Sequence, residues 1–523
     1  MENEKLPRGW VKTTCSLFLG EKSSSFDPRK YPDERFELYS VPSHASAHPE
    51  IVLGSEIGSN KQYVDAGDVL ISKINPRLNR TWVVRNYTEH RNIASTEWIR
   101  FPGTAGLKND YLAYFLTQYW VRDFLSENAS GIGGSLTRVR PKIFDEIQLS
   151  LPPLNEQRRI VEKIEELFSE LDAGVENLRT ARTQLGVYRQ SLLKQAFEGK
   201  LTERWRAEHA DELESPDELL ARIRQEREAR YQQQLSDWKS AISQWERDGK
   251  PGKKPSKPRK PKPLSESNNS FSNPLPDRWV SINLGETTVE IFDGPFGSNL
   301  KTSDYVDSGV RVIRLENIGC GAFIEEKHSY ISHEKYHCLQ RHTVFPGDIV
   351  FSSFLNDSVR ASIVPDSVEY AVNKADCFCV RCYGSILSKD YLLQAFLARY
   401  FYKALESQVH GVGRPRINTT QLGSAPIPFC SLAEQREIVR LLEEQFGVIE
   451  ENEREIDAAL ERAEALRQSI LKKAFAGELV PQDPDDEPAS VLLERIRAER
   501  EAQAAKPARR HVARKPRHSP SAS

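Results

Sequence analysis

The chain has 523 residues, 38% of them hydrophobic, which is enough apolar side chain for real cores in about three domains. Its formal net charge of −2 lacks the basic footprint usual for a nucleic-acid-binding surface, so any such binding must rest on local patches. No apolar run approaches the ~18 residues of a spanning helix, the amino terminus carries no basic-then-apolar pattern, and seven irregularly spaced cysteines fit reduced thiols; together these predict a cytoplasmic protein with no membrane partner.

Residues 1–150 open on Leu6-Pro7-Arg8-Gly9-Trp10-Val11 and continue as short β-type runs punctuated by Gly, Pro and Asn, predicting a mixed α/β globular domain. Two windows within it carry cations and no acids. One holds Lys73, Asn75, Arg77 and Arg80; the other, GIGGSLTRVRPK, holds Ser135, Thr137, Arg138, Arg140 and Lys142. Arg forks bind guanine or phosphate, Asn pairs with adenine, and Gly lets backbone approach a phosphate, so both windows are candidates for duplex contact. The competing reading is a solvated turn before a strand.

Over residues 151–205 the pattern becomes helical. Ile164, Phe168, Leu171, Val175, Leu178, Arg182, Leu185, Arg189, Leu192 and Ala196 alternate four and three apart, the seam of a coiled coil with polar breaks that fix register or face partner helices. About 40 such residues make a rod of ~60 Å. A polar helical extension follows over 206–247. Residues 248–270 then alternate Lys, Arg and Pro, the composition of a stiff, disordered linker.

The text then repeats. Residues 271–430 form a second globular domain opening on Leu275-Pro276-Asp277-Arg278-Trp279-Val280. Within it, Val344-x-x-Gly347-Asp348-Ile349-Val350 answers Val64-x-x-Gly67-Asp68-Val69-Leu70 at a separation of 280. Its candidate contacts are Ser298, Asn299 and Lys301 in DGPFGSNLK, then Arg360, then Arg414, Arg416 and Asn418 in GVGRPRINTTQ. The DGPFGSNLK segment also reads as a tight turn closing a β-rich fold, and the two readings are compatible. Cys377, Cys379 and Cys382 sit in an alternating run typical of a half-buried strand, so buried thiols are expected there and no metal site. Residues 431–480 repeat the long helix at a separation of 278, with 19 identities over 48 positions, too many for coincidence of heptad pattern alone. Within 481–523, Leu492-Leu493-Glu494-Arg495-Ile496-Arg497 answers Leu219-Leu220-Ala221-Arg222-Ile223-Arg224 before a basic tail, Ala505–Ser523.

The sequence contains no phosphate-cradling GxxxxGK[ST], no dinucleotide turn, no HExxH, no GxSxG and no Asn/Asp-Pro-Pro-aromatic tetrapeptide, which predicts a non-catalytic chain. Two classes of function suit duplicated heads on a rigid helix. One is a DNA-reading adaptor, and the other a coiled-coil scaffold that binds only proteins.

The order LPxGW, globular domain, LPPLxEQ-heptad helix and RQSLLKxAFxGKL, then the same again, resembles the specificity subunit of type I restriction-modification systems. Leu151 to Gln157, Arg189 to Arg206, Arg467 to Leu479 and DGPFGS at Asp293–Ser298 carry the likeness, and Leu492 to Arg500 suggests the branch with long central and C-terminal repeats. The resemblance implies an α+β fold with two globular α/β target-recognition domains, each followed by a long helix, the helices forming an antiparallel coiled coil. It further implies that each domain reads half of an asymmetric, interrupted duplex. The helices would dock two modification subunits through Glu156, Gln157, Arg158, Arg189 and Phe197 and through Glu434, Gln435, Arg436, Arg467 and Phe475. S-adenosylmethionine, ATP and magnesium would belong to those subunits and to two restriction subunits, with no cofactor in this chain.

Overall fold

The computed structural model describes residues 6–20, 25–104, 106–131, 137–250, 252–264, 271, 273–409 and 415–504. They fall into two compact units, Met1–Arg179 with Asp457–Ser523, and Thr180–Ile456. The heptad runs form helices Leu154–Phe197 and Leu432–Ala476. Each unit therefore takes the amino-terminal half of one long helix and the carboxy-terminal half of the other. In the first unit Ile160, Val161, Ile164 and Phe168 share a core with Ile470, Leu471 and Ala474. In the second, Leu192, Leu193, Ala196 and Phe197 share one with Ile438, Val439, Leu442, Phe446 and Ile449. Within each unit the two helical segments run antiparallel.

The polar breaks in the seam are filled by equivalent contacts. The Arg467 guanidinium lies 4.3 Å over the Phe168 ring and pairs with Asp172; that of Arg189 lies 4.8 Å over Phe446 and 3.6 Å from Glu453. A cation above an aromatic face keeps its charge toward water while its stem covers apolar surface, so these arginines fix register at little desolvation cost.

Both helices end on a glycine with positive φ, Gly199 at +70° and Gly477 at +77°, the conformation of a C-terminal cap. A Cβ on Gly199 would stand 2.3 Å from Pro276, and one on Gly477 would stand 2.4 Å from Pro7. The glycine of AFxGxL thus ends its helix and admits the proline of LPxxW, which explains why the two motifs recur together.

Each globular domain holds two main sheets. One contains the order Lys61–Tyr63, Arg91–Ser95, Arg35–Tyr39, Glu50–Leu53 in the first domain and Thr343–Val344, Ala371–Asn373, Val310–Ile313, Tyr330–Ile331 in the second, with the middle pair parallel in both. A fifth strand joins opposite edges, Ser25–Phe26 beside Lys61–Tyr63 and Tyr305–Val306 beside Tyr330–Ile331. The other sheet centres on Val69–Ser72 or Ile349–Ser352, buried throughout as their unbroken apolar runs require. Asp68 and Asp348, repeated in the sequence, are buried and paired with Arg100 at 2.5 Å and Arg381 at 2.6 Å. The second domain adds Thr288–Phe292 as a fourth strand, and DGPFGS follows it directly.

Cys377 and Cys379 are fully buried on strand Cys377–Cys382, where burial pushes all three thiols up, that of Cys382 to about 12. The Lys/Pro segment is not the disordered linker that its composition suggests. Residues 252–264 lie back along helix Pro216–Arg247, with Trp238 Nε1 donating to the Pro255 carbonyl at 3.1 Å and Lys254 and Lys257 over the Trp245 and Trp238 rings. Trp238 and Trp245, with Tyr231, Leu235 and Ile242, supply an apolar face that composition alone conceals. The basic tail Ala505–Ser523 lies outside the described residues. No helix among the described residues is long and apolar enough to cross a membrane.

Candidate nucleic-acid interface

The central strand of the second sheet ends in a buried serine, Ser72 or Ser352, whose hydroxyl accepts the N–H of Ile74 or Phe354 at 3.2 Å and turns the chain. The turned residue then pairs with the arginine-bearing window. Ile74 bridges Arg138 and Phe354 bridges Arg416. Backbone bonds tighten each joint. Asn75 donates to Thr137 at 2.8 Å and Val139 to Lys73 at 2.9 Å, while Leu355 donates to Pro415 and Ile417 to Ser353, both at 3.0 Å. The two cationic windows of the first domain are therefore one surface.

Arg138 and Arg416 occupy equivalent positions on these joints, with side chains 56% and 45% exposed. Each touches a carboxylate placed just before the neighbouring strand, Glu97 at 2.8 Å for Arg138 and Asp376 for Arg416. An exposed pair of this kind contributes about 0–1 kcal/mol. The guanidinium is consequently held in place yet able to exchange its carboxylate for a phosphate or a guanine edge.

Other residues singled out from sequence divide by what their side chains already do. Arg77, Arg140 and Lys142 are exposed beside the same joint, Arg80 and Thr137 are half-buried, and the half-buried Lys73 ammonium has its pKa lowered by desolvation. Asn75 does not face outward to read adenine. It sits at φ +49° and its Oδ1 accepts the Thr137 N–H at 3.2 Å, so it shapes the turn. Arg360 donates to the Leu315 carbonyl and the Ser352 hydroxyl, and Asn418 caps helix Thr419–Gly423 by accepting from Gln421 N–H at 2.9 Å. Each of these three therefore shapes the joint through at least one internally bonded polar atom. Ser135 and Arg414 lie outside the described residues.

Ser298, Asn299 and Lys301 are exposed on the DGPFGSNLK loop. Asp293 roots the loop, accepting from Gly294 N–H at 2.7 Å and from Asp376 N–H at 2.9 Å, the same Asp376 that holds Arg416. Burial raises the Asp293 carboxyl while those two N–H groups oppose the rise. Gly294 allows the close approach, since a Cβ there would lie 2.2 Å from the Lys374 backbone. The loop therefore turns tightly and adjoins the Arg416 surface. At its tip Phe296 is 57% exposed, although Pro295 and Leu300 on either side are buried. Phe296 is not among the polar residues that DGPFGSNLK suggests as contacts, and its one signal in the sequence is its place between Pro295 and Gly297 in a turn.

The residues assigned to docking fare differently. Glu156, Gln157, Glu434, Gln435 and Phe197 are each at most 2% exposed. Glu156 accepts from Trp10 Nε1 at 3.0 Å, and Glu434 from Trp279 Nε1 at 2.9 Å. Gln157 accepts the Lys108 N–H and donates to the Pro152 carbonyl; Gln435 does the same with Ser388 and Cys430. Phe197 packs edge-on to Tyr391 and Phe475 to Tyr111. Glu156, Gln157, Glu434 and Gln435 tie the start of each long helix to its own globular domain, and Phe197 and Phe475 tie the far end of each to the other domain, which corrects their assignment as partner contacts, while Arg189 and Arg467 serve the seam. Arg158 and Arg436, in the first turn of each long helix, alone among the ten remain exposed.

Residues 21–178 and 345–462 match the family model described as type I restriction modification DNA specificity domain. The chain is similar to the EcoDI specificity subunit of Escherichia coli, 26% identical over 440 residues that cover 83% of this chain and 85% of that protein. It is also similar to the EcoKI specificity subunit of E. coli K12, 24% identical over 416 residues covering 76% and 74%. A chain from a study of assembly and conformational transition of the type I restriction-modification system superposes with a TM-score of 0.61 at 19% identity, over 91% of this chain and all of that one, which supports the fold. Duplicated heads, paired helices and this match lead to one conclusion: the chain belongs to the type I restriction-modification specificity family, as a non-catalytic DNA sequence-specificity subunit whose partners are DNA and the other subunits of its complex.

Proposed function

We propose that each globular domain reads one half of an interrupted, asymmetric duplex. The first domain uses the joined segments 73–80 and 137–142. The second uses 353–360, 415–418 and the Phe296 loop. The observation that carries this reading is the recurrence of one exposed arginine, Arg138 or Arg416, on the same backbone joint beside a removable carboxylate. In the same reading the long helices position two modification subunits that use S-adenosylmethionine to methylate adenine in each half. Two restriction subunits, with ATP and magnesium, cleave unmodified DNA, and the complex acts in the cytoplasm. Equivalent placement of Arg158 and Arg436 on the two helices supports docking of two like subunits.

The test is to express the chain with its modification partner and sequence the methylated adenines, for the wild type and for Arg138→Ala and Arg416→Ala. A lost base fork costs about 1–3 kcal/mol of discrimination, so each variant should relax one half-site only. Relaxation of both halves by either variant would overturn the division of labour. Absence of salt-sensitive, sequence-selective duplex binding by the wild-type complex would favour a protein-only scaffold.

A further inference from the structure

The Lys/Pro segment has a regular inner face. Among residues 252–264, only Pro255, Pro258, Pro261 and Leu264 are half-buried, at a strict spacing of three, the period of a polyproline II helix. The facing stripe on helix Pro216–Arg247 is Tyr231, Leu235, Trp238, Ile242 and Trp245, half-buried at alternating spacings of four and three. The Trp238–Pro255 bond joins the two elements, and Lys250 and Lys254 over Trp245 mark the closed end of an antiparallel hairpin. Leu264 reaches the core of the second unit and fixes the other end. Pro255, Pro258 and Pro261 thus lie inward and the cations occupy the exposed faces, with Lys254 and Lys257 at the edge over Trp245 and Trp238.

Those cations are Lys253, Lys254, Lys257, Arg259, Lys260 and Lys262, every one exposed, with no acidic residue between Lys250 and Leu264. None joins an ion pair among the described residues. From Lys253 to Lys262 a polyproline II strand spans ~28 Å at 3.1 Å per residue. Phosphates on one strand of a duplex recur every ~3.4 Å along the axis, so this length faces about eight of them. A protein partner is the poorer match, because interfaces between proteins are depleted in Lys and centre on buried aromatic or Arg anchors, whereas the exposed faces here carry no apolar anchor. The three prolines, packed on the helix, also spare part of the ordering entropy that an unstructured basic tail would lose on binding.

We propose that the strand Lys253–Lys262 is a preformed grip for the DNA phosphate backbone, binding without regard to base sequence and adding affinity to the two recognition domains. It rests on the DNA-reading assignment above and adds to the electrostatic attraction of a chain whose net charge is only −2.

The experiment measures duplex affinity of the assembled complex against salt concentration, on target and non-target DNA. It compares the wild type with a variant carrying K253Q, K254Q, K257Q, R259Q, K260Q and K262Q, and with one in which the five lysines become arginine. Each phosphate contact contributes ~0.9 to the slope of log K against log salt. The glutamine variant should lose at least ~2 from that slope and bind both DNAs about tenfold more weakly or worse, with the methylated sequence unchanged; the arginine variant should keep the wild-type slope. An unchanged slope in the glutamine variant overturns the proposal, as does loss of subunit assembly with DNA terms intact, which would make the strand a protein-docking element. Failure of wild-type selectivity would instead count against the recognition-domain reading.

Discussion

The paired glutamates Glu156 and Glu434 occupy equivalent positions in duplicated helices and accept from equivalent tryptophans, yet the same substitution should have opposite effects on them. Glu434 is 1% exposed and accepts three bonds, from Thr202 Oγ1 at 2.7 Å, Arg206 Nε at 2.8 Å and Trp279 Nε1 at 2.9 Å. Glu434→Gln puts an N–H where an acceptor is needed, whichever way the amide turns, and leaves the largely buried Arg206 without its counter-charge. Breaking a buried pair of this kind costs about 3 kcal/mol or more. Glu156 has no arginine in that place. Its Oε2 accepts from Trp10, its Oε1 is buried without a partner, and burial raises its pKa above the ordinary 4.5. The folded state therefore holds this proton more tightly than the unfolded chain. The stability that it contributes is present in acid and is lost as pH rises from 4.5 through the raised folded value. Glu156→Gln removes that loss, keeps an oxygen for Trp10, and should leave stability at pH 7 unchanged or higher by up to about 1 kcal/mol. Because a chain of two units need not unfold in one step, amide hydrogen exchange is the suitable assay. Residues 199–206 and 279–283 should exchange roughly 100-fold faster in Glu434→Gln, since each 1.4 kcal/mol is tenfold, while residues 10–14 and 156–161 stay protected in Glu156→Gln. Equal losses of protection at the two sites would refute the reasoning.

Three further outcomes follow from the geometry. Phe296→Ala removes an exposed aromatic and no charge, so target affinity should fall by about 1–3 kcal/mol, the scale of one lost base-edge contact, with the salt slope unchanged; a change in slope would show that the loop works through phosphates instead. Deleting one heptad from each of Ile164–Ala196 and Leu442–Ala474 shortens each helix by ~10 Å, about three base-pair steps. Sequencing of methylated adenines should then report half-sites of unchanged sequence at a new gap, and altered half-sites would contradict the separation of reading from spacing. Gly477→Ala meets both a positive φ and Pro7, and Gly199→Ala meets Pro276 likewise. Each should cost more than the ~1 kcal/mol of an ordinary glycine cap, read as lost exchange protection around the tryptophan of the affected unit.

Much of this architecture was legible because it is repeated and periodic. The heptads mark both long helices as a coiled-coil seam, and the constant separations of 278 and 280 pair their anchors. Long-range polar partnerships were not legible. Nothing near Gln157 in sequence announces that its amide closes on Lys108, and Arg138 and Arg416 meet acids some forty residues away. Motif strength itself misled at Glu156-Gln157 and Glu434-Gln435, where repetition reflects a buried clamp built twice. The Lys/Pro strand is obscure in sequence for another reason. Composition counts its cations but cannot see that prolines every third residue form a face of their own.

The make-up of the two units bears on how the chain matures. Thr180–Ile456 is one continuous stretch, so all of its core is in hand once that stretch has been made. The unit around the first recognition domain is different, since its core includes Ile470, Leu471, Ala474, Leu492, Leu493 and Ile496 from the far end of the sequence. During synthesis the earlier-made domain must wait for the last-made helices, exposing Ile160, Ile164 and Phe168 in the interval. The first domain translated is thus the last completed, and premature termination between Asp457 and Ile470 leaves the second unit whole and the first with no closed core.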